Sequence, residues 1–329
     1  MRIIFRVLAP GGALALLLLL QPAGASEHND LMKAKKYAEA ERAASATLAA
    51  NPANMRAMVE RTAAIMASGN ENRVGEAVTQ AEQCAASPAA TADCHMALGM
   101  AIGVKAANSG LIAIISSAGR IRDAFKKAVE LDPRNMKARF ALLQFYVAAP
   151  GMMGGGAAKA EALTAQTAII NPEAGKLMQA MLDLSSGKLA QAEAGVLAVR
   201  AGTDQEMLDR QEGLLINVAE KYMAEKKFAD AERVALDTAK RFPDGANGPF
   251  LMARTQQEQA RHREALAGFD QVLAKIPKPQ VYYRIGQSLQ ALGEKAKAVA
   301  AYEKALAFKT GLPRTFRASA QEQLDALKR

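Results

Sequence analysis

The fold of this chain is decided by the stretch YYRIGQSLQALGEKAKAVAAYEKA, residues 282–305. Its apolar and small residues recur at helical spacing, and the positions that matter are Tyr282, Ile285, Gly286, Leu289, Ala298, Tyr302 and Ala305. Small residues at crossing points allow two helices to approach closely, and the larger residues between them can interlock. The stretch therefore predicts a pair of packed helices.

The second half of this pattern recurs along the chain. Its leading alanines are most regular at Ala192, Ala231, Ala265 and Ala298, which are 39, 34 and 33 residues apart. Five copies are closed by a proline at the corresponding offset, namely Pro52, Pro133, Pro172, Pro243 and Pro277. Proline stops a helix because it cannot supply the next backbone donor. The chain is therefore expected to repeat one unit made of two helices.

This spacing resembles the tetratricopeptide-repeat family, whose unit is about 34 residues long. The resemblance implies an all-α, right-handed solenoid of antiparallel helix pairs with seven to eight repeats. We expect residues 26–312 to form the solenoid. Because the ends of such a stack need covering, we expect residues 313–329 to form a capping helix with Phe316, Ala320, Leu324 and Leu327 on one side. At the other end, one helix of about residues 30–50 matches only the second helix of a repeat.

Composition supports an all-helical protein. Half of the residues are hydrophobic, only 5% are aromatic and none is Trp. Alanine-rich sequences with Leu, Glu, Lys and Arg favour helices. The formal net charge is +9, but Lys and Arg are scattered among Glu and Asp, which is typical of a solvated helix surface. We therefore expect no nucleic-acid partner.

Residues 1–25 have the layout of a cleavable signal peptide. Arg2 and Arg6 precede an apolar run over residues 13–20, and Ala23 and Ala25 fit the small-residue rule for cleavage before Ser26. The apolar run is shorter than the ~20 residues of a membrane span, although an uncleaved anchor is the alternative. The sequence predicts export, most simply to a bacterial periplasm, and no membrane span in the mature chain.

The only two cysteines, Cys84 and Cys94, lie ten positions apart across a segment that contains Pro88. A turn between two antiparallel helices could bring them within disulfide range. In an oxidising compartment such a pair is typical of a structural disulfide. We predict the disulfide, with two buried free thiols as the alternative.

Two segments exceed the length of the unit. Residues near 103–121 contain an apolar run, Leu111–Ala118. Because the segment also contains Lys105, Asn108 and Gly110, it does not have the pattern of a membrane span. Longer helices that project beyond the neighbouring repeats, with apolar residues at their ends, would account for the additional residues.

The second insertion, residues 147–157, contains a glycine-rich turn. It lacks the Lys-Ser/Thr pair and the preceding strand of a phosphate-binding loop. Its candidate ligand-contacting residues are Phe145, Tyr146, Pro150, Gly154 and Gly155, and a purely structural turn is the equal alternative. The whole segment from His95 to Gly155 is similar to a group of exported bacterial repeat proteins that has no settled activity.

Signatures of catalysis are missing from the sequence. His28, His95 and His262 are far apart and show no zinc-binding spacing, and no Gly-x-Ser-x-Gly is present. The 15 methionines suit Cu(I) in principle, but Met is an ordinary core residue. We expect a protein that is not an enzyme and binds no metal or cofactor.

The resemblance implies that first helices line a concave groove that holds peptides or protein segments. The repeat register then selects groove positions at Asn247, Phe250, Arg254, Gln257, Tyr283, Gln287 and Gln290. Arg254 would pair with a carboxylate of an extended peptide. The alternative for these positions is a merely solvated helix surface.

The leading hypothesis is a non-catalytic scaffold for a protein or peptide partner in the cell envelope. The alternative is a small-ligand-binding accessory component of a solute transport system, in which the glycine-rich turn closes over a pocket. A homo-oligomer is compatible with either hypothesis.

Overall fold

The computed structural model of the chain describes residues 24–308 and 311–329. Within these ranges the chain forms seventeen α-helices and no strand. Within each of the two units described below, helices that follow each other in sequence pack against each other, as expected for a stack of helix pairs. The prediction of an all-α fold made of helix pairs is confirmed. The chain divides after Asp132 into two compact units, which are described one by one.

The first unit contains three helix pairs. Its helices are α1 (Gly24–Lys33), α2 (Tyr37–Ala50), α3 (Met55–Ala67), α4 (Val74–Ala86), α5 (Ala92–Ser109) and α6 (Leu111–Leu131). A short 3-10 turn, Glu71–Arg73, leads into α4. The core between α3, α4 and α5 is built largely from Ile65, Ala77, Val78, Ala101 and Ile102. Alanines in this core let the helices approach closely.

The start of the first unit differs from the expected single helix over residues 30–50. Two helices, α1 and α2, pack against each other there. Lys35 adopts a φ of +58°, and the backbone N–H of Lys36 donates to the carbonyl of Leu31 at 2.9 Å. This left-handed turn ends α1, so α2 has a partner helix. The predicted signal peptide lies largely in residues 1–23, outside the described residues.

The disulfide prediction is confirmed. Cys84 near the end of α4 is bonded to Cys94 near the start of α5, with their Cα atoms 5.3 Å apart. Both cysteines are fully buried beside Met58, Leu48 and other apolar side chains. The bond therefore joins two neighbouring helix pairs in the core.

The second unit contains five helix pairs and a final helix. Its helices are α7 (Met136–Ala148), α8 (Ala157–Ile170), α9 (Pro172–Ser185), α10 (Leu189–Leu197), α11 (Gln205–Ala224), α12 (Phe228–Arg241), α13 (Asn247–Glu258), α14 (His262–Lys275), α15 (Pro279–Ala291), α16 (Lys295–Ala307) and α17 (Arg314–Lys328). First helices also contact the first helices of adjacent pairs, as α9 does with α7 and α11. Side chains of neighbouring first helices therefore lie close to each other.

Helix α17 covers the last pair of the second unit. Ala320 and Leu324 are 0% and 6% exposed, and Phe316 and Leu327 pack partly buried against the same core. The predicted capping helix is therefore present, with the expected apolar side inward. Close packing in this pair needs Gly286, because a Cβ there would lie 2.7 Å from the ring of Tyr302.

Among residues 24–308 and 311–329, no helix is both long and apolar enough to cross a membrane.

Candidate functional site

The candidate site lies on α11, α13 and α15, the first helices of three successive pairs in the second unit, which all carry polar side chains there. We call it the arginine row and define it as Glu220, Phe250, Arg254, Gln257, Arg284 and Gln287. It contains four of the seven predicted groove residues together with two that the sequence did not indicate. Its contacts decide which of these side chains could meet a partner.

Arg254 is the centre of the arginine row. Its side chain is 18% exposed, and Nη1 donates to Oε1 of Glu220 on α11 at 2.5 Å. The guanidinium also lies 5.9 Å from the centre of the Phe250 ring. Its Nε is buried and has no hydrogen-bond partner among the described residues. Arg254 thus pairs with a carboxylate of the chain itself, and one donor of its guanidinium is unsatisfied.

Gln257, predicted as a groove residue, is buried between two helices. It is 8% exposed, and its Nε2 donates to the carbonyl of Arg284 and to the hydroxyl of Ser288, both at 2.7 Å. The amide therefore joins α13 to α15 inside the core. The repeat register placed Gln257 on the groove side of α13, but it did not indicate that α15 covers this side chain.

Tyr283 is also buried, at 5% exposure. Its ring stacks on Phe316 of α17 with centroids 4.9 Å apart, and its hydroxyl donates to Ser319 at 3.0 Å. Because α17 occupies the face of this ring, contact of Tyr283 with a partner stays a prediction that this packing does not support. Tyr283 instead anchors the capping helix.

The remaining predicted groove residues are partly exposed. Gln287 donates to the hydroxyl of Tyr283 at 3.1 Å. Gln290 donates to Gln323 of α17 at 2.7 Å and accepts from the hydroxyl of Tyr302 at 2.8 Å. Asn247 is the first residue of α13 and is half-buried. Gln287 belongs to the arginine row, and its Oε1 lies 3.5 Å from Nη1 of Arg284.

Arg284 is the residue that the sequence interpretation missed. Its side chain is 15% exposed, and Nη1 lies 3.3 Å from Oε1 of Gln257 and 3.4 Å from Oε1 of Glu258. Burial, and then the nearby charge of Arg254, lower the pKa of Arg284. The available signal was that Arg284 is the single charged residue of α15.

The two arginines make the row receptive to anions. Each guanidinium is mostly withdrawn from water, and they repel each other. A ligand carboxylate between them would reduce that repulsion and could accept two parallel hydrogen bonds from one guanidinium. Glu220 and Glu258, which are 44% and 45% exposed, are the groups with which it would compete.

The glycine-rich turn between α7 and α8 closes on itself through backbone hydrogen bonds. Gly155 donates to the carbonyl of Pro150 at 3.2 Å, and Gly156 donates to that of Tyr146 at 2.8 Å. Gly154 has a φ of +90°, and a Cβ on Gly155 would lie 1.9 Å from the carbonyl oxygen of Ala149. These glycines are needed for the turn, which supports its structural interpretation.

Side chains around this turn are unevenly exposed. Tyr146 is 8% exposed and contacts Phe145 edge-on, with ring centroids 6.2 Å apart. Met152 at the top of the turn is 95% exposed. Of the five residues predicted here as ligand contacts, Tyr146, Gly154 and Gly155 are buried, so a ligand could reach only Pro150 and Phe145 directly.

No group of three or more His, Cys, Asp or Glu side chains suited to a metal ion occurs in residues 24–308 and 311–329. That the protein binds no metal remains a prediction from the sequence.

The last helix pair matches one family model. Residues 279–309 match the family model described as tetratricopeptide repeat, which is the stretch whose pattern decides the fold. A comparison with curated proteins finds no match.

Solved structures with a similar helical arrangement include three repeat proteins. A tetratricopeptide-repeat protein from Parabacteroides merdae is 12% identical with a TM-score of 0.47, over 93% of this chain and 98% of that one. A tetratricopeptide-repeat protein from Thermus thermophilus is 16% identical with a TM-score of 0.32, over 65% and 93%. The TPR2AB domain of yeast Sti1, in a complex with pHSP90, is 18% identical with a TM-score of 0.28, over 92% and 95%.

Proposed function

We propose that the chain is a tetratricopeptide-repeat protein, as the match of residues 279–309 suggests, and that it is a non-catalytic binding protein that holds an acidic segment of a partner protein along the arginine row. The fold is one that suggests protein–protein interaction. We propose the cell envelope as its location, and this part of the proposal is based on the signal-peptide pattern of residues 1–25 alone. The partner is defined by its chemistry, an extended peptide with at least one carboxylate.

The observation that carries the proposal is the state of Arg254. This guanidinium is largely buried, bonded to the half-exposed Glu220, and keeps one unsatisfied donor. An incoming carboxylate can take the place of Glu220, which returns to water. Charge-assisted hydrogen bonds of this kind are about twice as strong as neutral ones. Arg284 supplies a second positive charge next to the same position.

The proposal predicts opposite effects for two substitutions. Arg254→Ala should weaken binding of an acidic peptide by about tenfold or more, because a charged hydrogen bond is worth about 1.5–3 kcal/mol. Glu220→Gln should strengthen binding, because it removes the internal competitor for Arg254. Peptides selected from a random display library on the purified chain would serve as ligands, with affinities measured by fluorescence anisotropy.

A matched control is Arg263→Ala, which removes an exposed arginine from the second helix α14. It should leave peptide affinity unchanged. Selection of peptides without acidic residues, or equal losses in Arg254→Ala and Arg263→Ala, would refute the arginine row as the binding site. A small molecule that stays bound through purification, with no selected peptide, would favour the solute-transport alternative.

A further inference from the structure

The helix pair α5–α6 extends beyond the core of the first unit. The apolar cluster around it ends at Ile102 on α5 and at the partly buried Ile121 on α6. Residues 103–120 continue as two packed helices joined by Gly110, whose φ is +94°. Only small side chains, Ala106 and Ala118, are buried between them. We call residues 103–117 the hairpin tip.

The hairpin tip carries an exposed aliphatic surface. Ile112 is 85% exposed, Leu111 71%, Ile115 52%, Ile114 39% and Val104 37%. Contiguous exposed apolar side chains mark an interaction surface with protein or membrane. These residues lie around the turn that joins the helices, so the surface is a protrusion and not a pocket.

The hairpin tip carries one charged side chain, and that side chain is basic. Residues 94–122 contain no Asp or Glu, although the chain has 33 acidic residues among 329. They contain Lys105, which is exposed beside the aliphatic surface, as well as Arg120 and Arg122 nearer the core. Arg120 contacts Glu82 of α4 at 2.6 Å, and Arg122 contacts Asp123. The tip itself is therefore apolar and weakly basic.

We propose that the hairpin tip docks on the surface of a lipid bilayer that contains anionic lipids, with Leu111, Ile112 and Ile115 inserted among the headgroups and upper acyl chains. This inference is independent of the peptide site. Aliphatic side chains with basic neighbours are the features by which helices bind membrane interfaces, where they insert about 5–10 Å. Anionic headgroups attract basic side chains near the surface, and Lys105 lies in the tip, which contains no carboxylate.

A bilayer fits this surface better than a protein partner. Protein interfaces concentrate their binding energy in Trp, Tyr and Arg side chains, and the exposed apolar residues of the tip are only Ile, Leu and Val. A convex apolar protrusion needs a concave partner of matching shape if that partner is a protein. A bilayer surface needs no such match.

Vesicle flotation tests the proposal. The form to use is residues 26–329, because the apolar run of residues 13–20 would bind lipid by itself. The probes are vesicles of phosphatidylcholine alone and vesicles with about one third phosphatidylglycerol. We expect binding to the anionic vesicles that weakens with salt, and weaker binding to the neutral ones. The Ile112→Asp plus Ile115→Asp variant should lower the partition coefficient by about tenfold or more.

The chain offers a matched control for charge and exposure. Ile169 on α8 is 86% exposed, almost the same as Ile112, so Ile169→Asp can be compared directly with Ile112→Asp. Both changes are at exposed positions and should leave the far-UV circular dichroism unchanged. The proposal is supported if Ile112→Asp lowers vesicle binding and Ile169→Asp does not.

Three results would overturn the proposal. The first is no flotation with either lipid composition. The second is an equal loss of flotation in Ile112→Asp and Ile169→Asp. The third is sedimentation velocity showing a dimer that Ile112→Asp dissociates while vesicles remain unbound, which would assign the tip to a second copy of the chain.

Discussion

At the scale of single residues, Glu193 on α10 shows how the chain stabilises a charge that it removes from water. The carboxylate is 6% exposed. It accepts hydrogen bonds from the hydroxyl of Tyr222 at 2.9 Å and from Nε and Nη2 of Arg233 at 2.9 and 2.7 Å. A buried charge costs several kcal/mol unless it is paired and hydrogen-bonded, and here three donors from α11 and α12 meet it.

The hydroxyl of Tyr222 makes this network sensitive to alkaline pH. Burial, and then the hydrogen bond to Glu193, raise the pKa of Tyr222 to about 12, whereas an unfolded tyrosine ionises near 10. The raised pKa means that the hydroxyl stabilises the fold below about pH 10 and loses that contribution as pH rises towards the folded pKa.

Tyr222→Phe should therefore cost about 1.5–3 kcal/mol at neutral pH, because a hydrogen bond to a charged group is lost. The difference in unfolding free energy between the wild type and the variant should shrink between about pH 10 and pH 12. Urea unfolding followed by circular dichroism measures it, since the chain has no Trp. A difference that stays constant over that pH range would contradict the assignment.

At the scale of the element, one turn is used repeatedly between first and second helices. In each case a residue with positive φ is followed by a backbone N–H that donates to the carbonyl five residues earlier. The residues with positive φ in these turns are Lys35, Gly187, Lys226, Ala260 and Gly293. This is the Schellman arrangement that satisfies the last carbonyls of a helix.

Three of these turns place a residue other than glycine in the left-handed region. Ala260 has a φ of +59°. Its methyl group makes no hydrogen bond that would offset the steric cost of this conformation, which is about 1–2 kcal/mol. Ala260→Gly should raise the unfolding free energy by about 0.5–1 kcal/mol, after the larger backbone entropy of glycine is subtracted.

The same substitution at Ala300, exposed within α16, should have the opposite sign and cost about 0.5–1 kcal/mol. Thermal and urea unfolding of the two variants would compare them directly. Destabilisation by both substitutions would show that the left-handed turn at Ala260 is not strained.

At the scale of the whole molecule, a stack of helix pairs gains stability mainly from contacts between neighbours. The Cys84–Cys94 bond joins two such neighbours at the α4–α5 connection of the first unit. It closes a short loop, for which loop-closure entropy gives about 2–3 kcal/mol of stabilisation. That stabilisation is expected to act locally.

Replacement of both cysteines by serine should accordingly raise amide hydrogen exchange in α3, α4 and α5 and leave α12–α16 unchanged. Hydrogen exchange read by mass spectrometry measures both regions in one sample. Uniformly faster exchange in α12–α16 as well would show that the chain unfolds as a single cooperative body and not repeat by repeat.

The patterns that the amino-acid sequence carries are local, and they were enough for the helix pairs. The apolar spacing of residues 282–305 predicted the last pair, the cysteine spacing predicted the disulfide, and the apolar side of residues 313–329 predicted the capping helix. Each depends on residues close together in the chain or on one helix face. The break at Lys35 was missed, because no glycine or proline marks the left-handed turn there.

The surroundings of the candidate site depended on contacts between helices that are distant in sequence. The repeat register placed Gln257 and Tyr283 on the groove side of their helices, but α15 and α17 cover them. Glu220 lies 34 residues before Arg254 and still supplies its carboxylate partner. A helical pattern specifies which side chains point away from its own pair. Which neighbouring helix then buries or pairs those side chains is a property of the packed stack, because burial and charge pairing require the second partner to be in place.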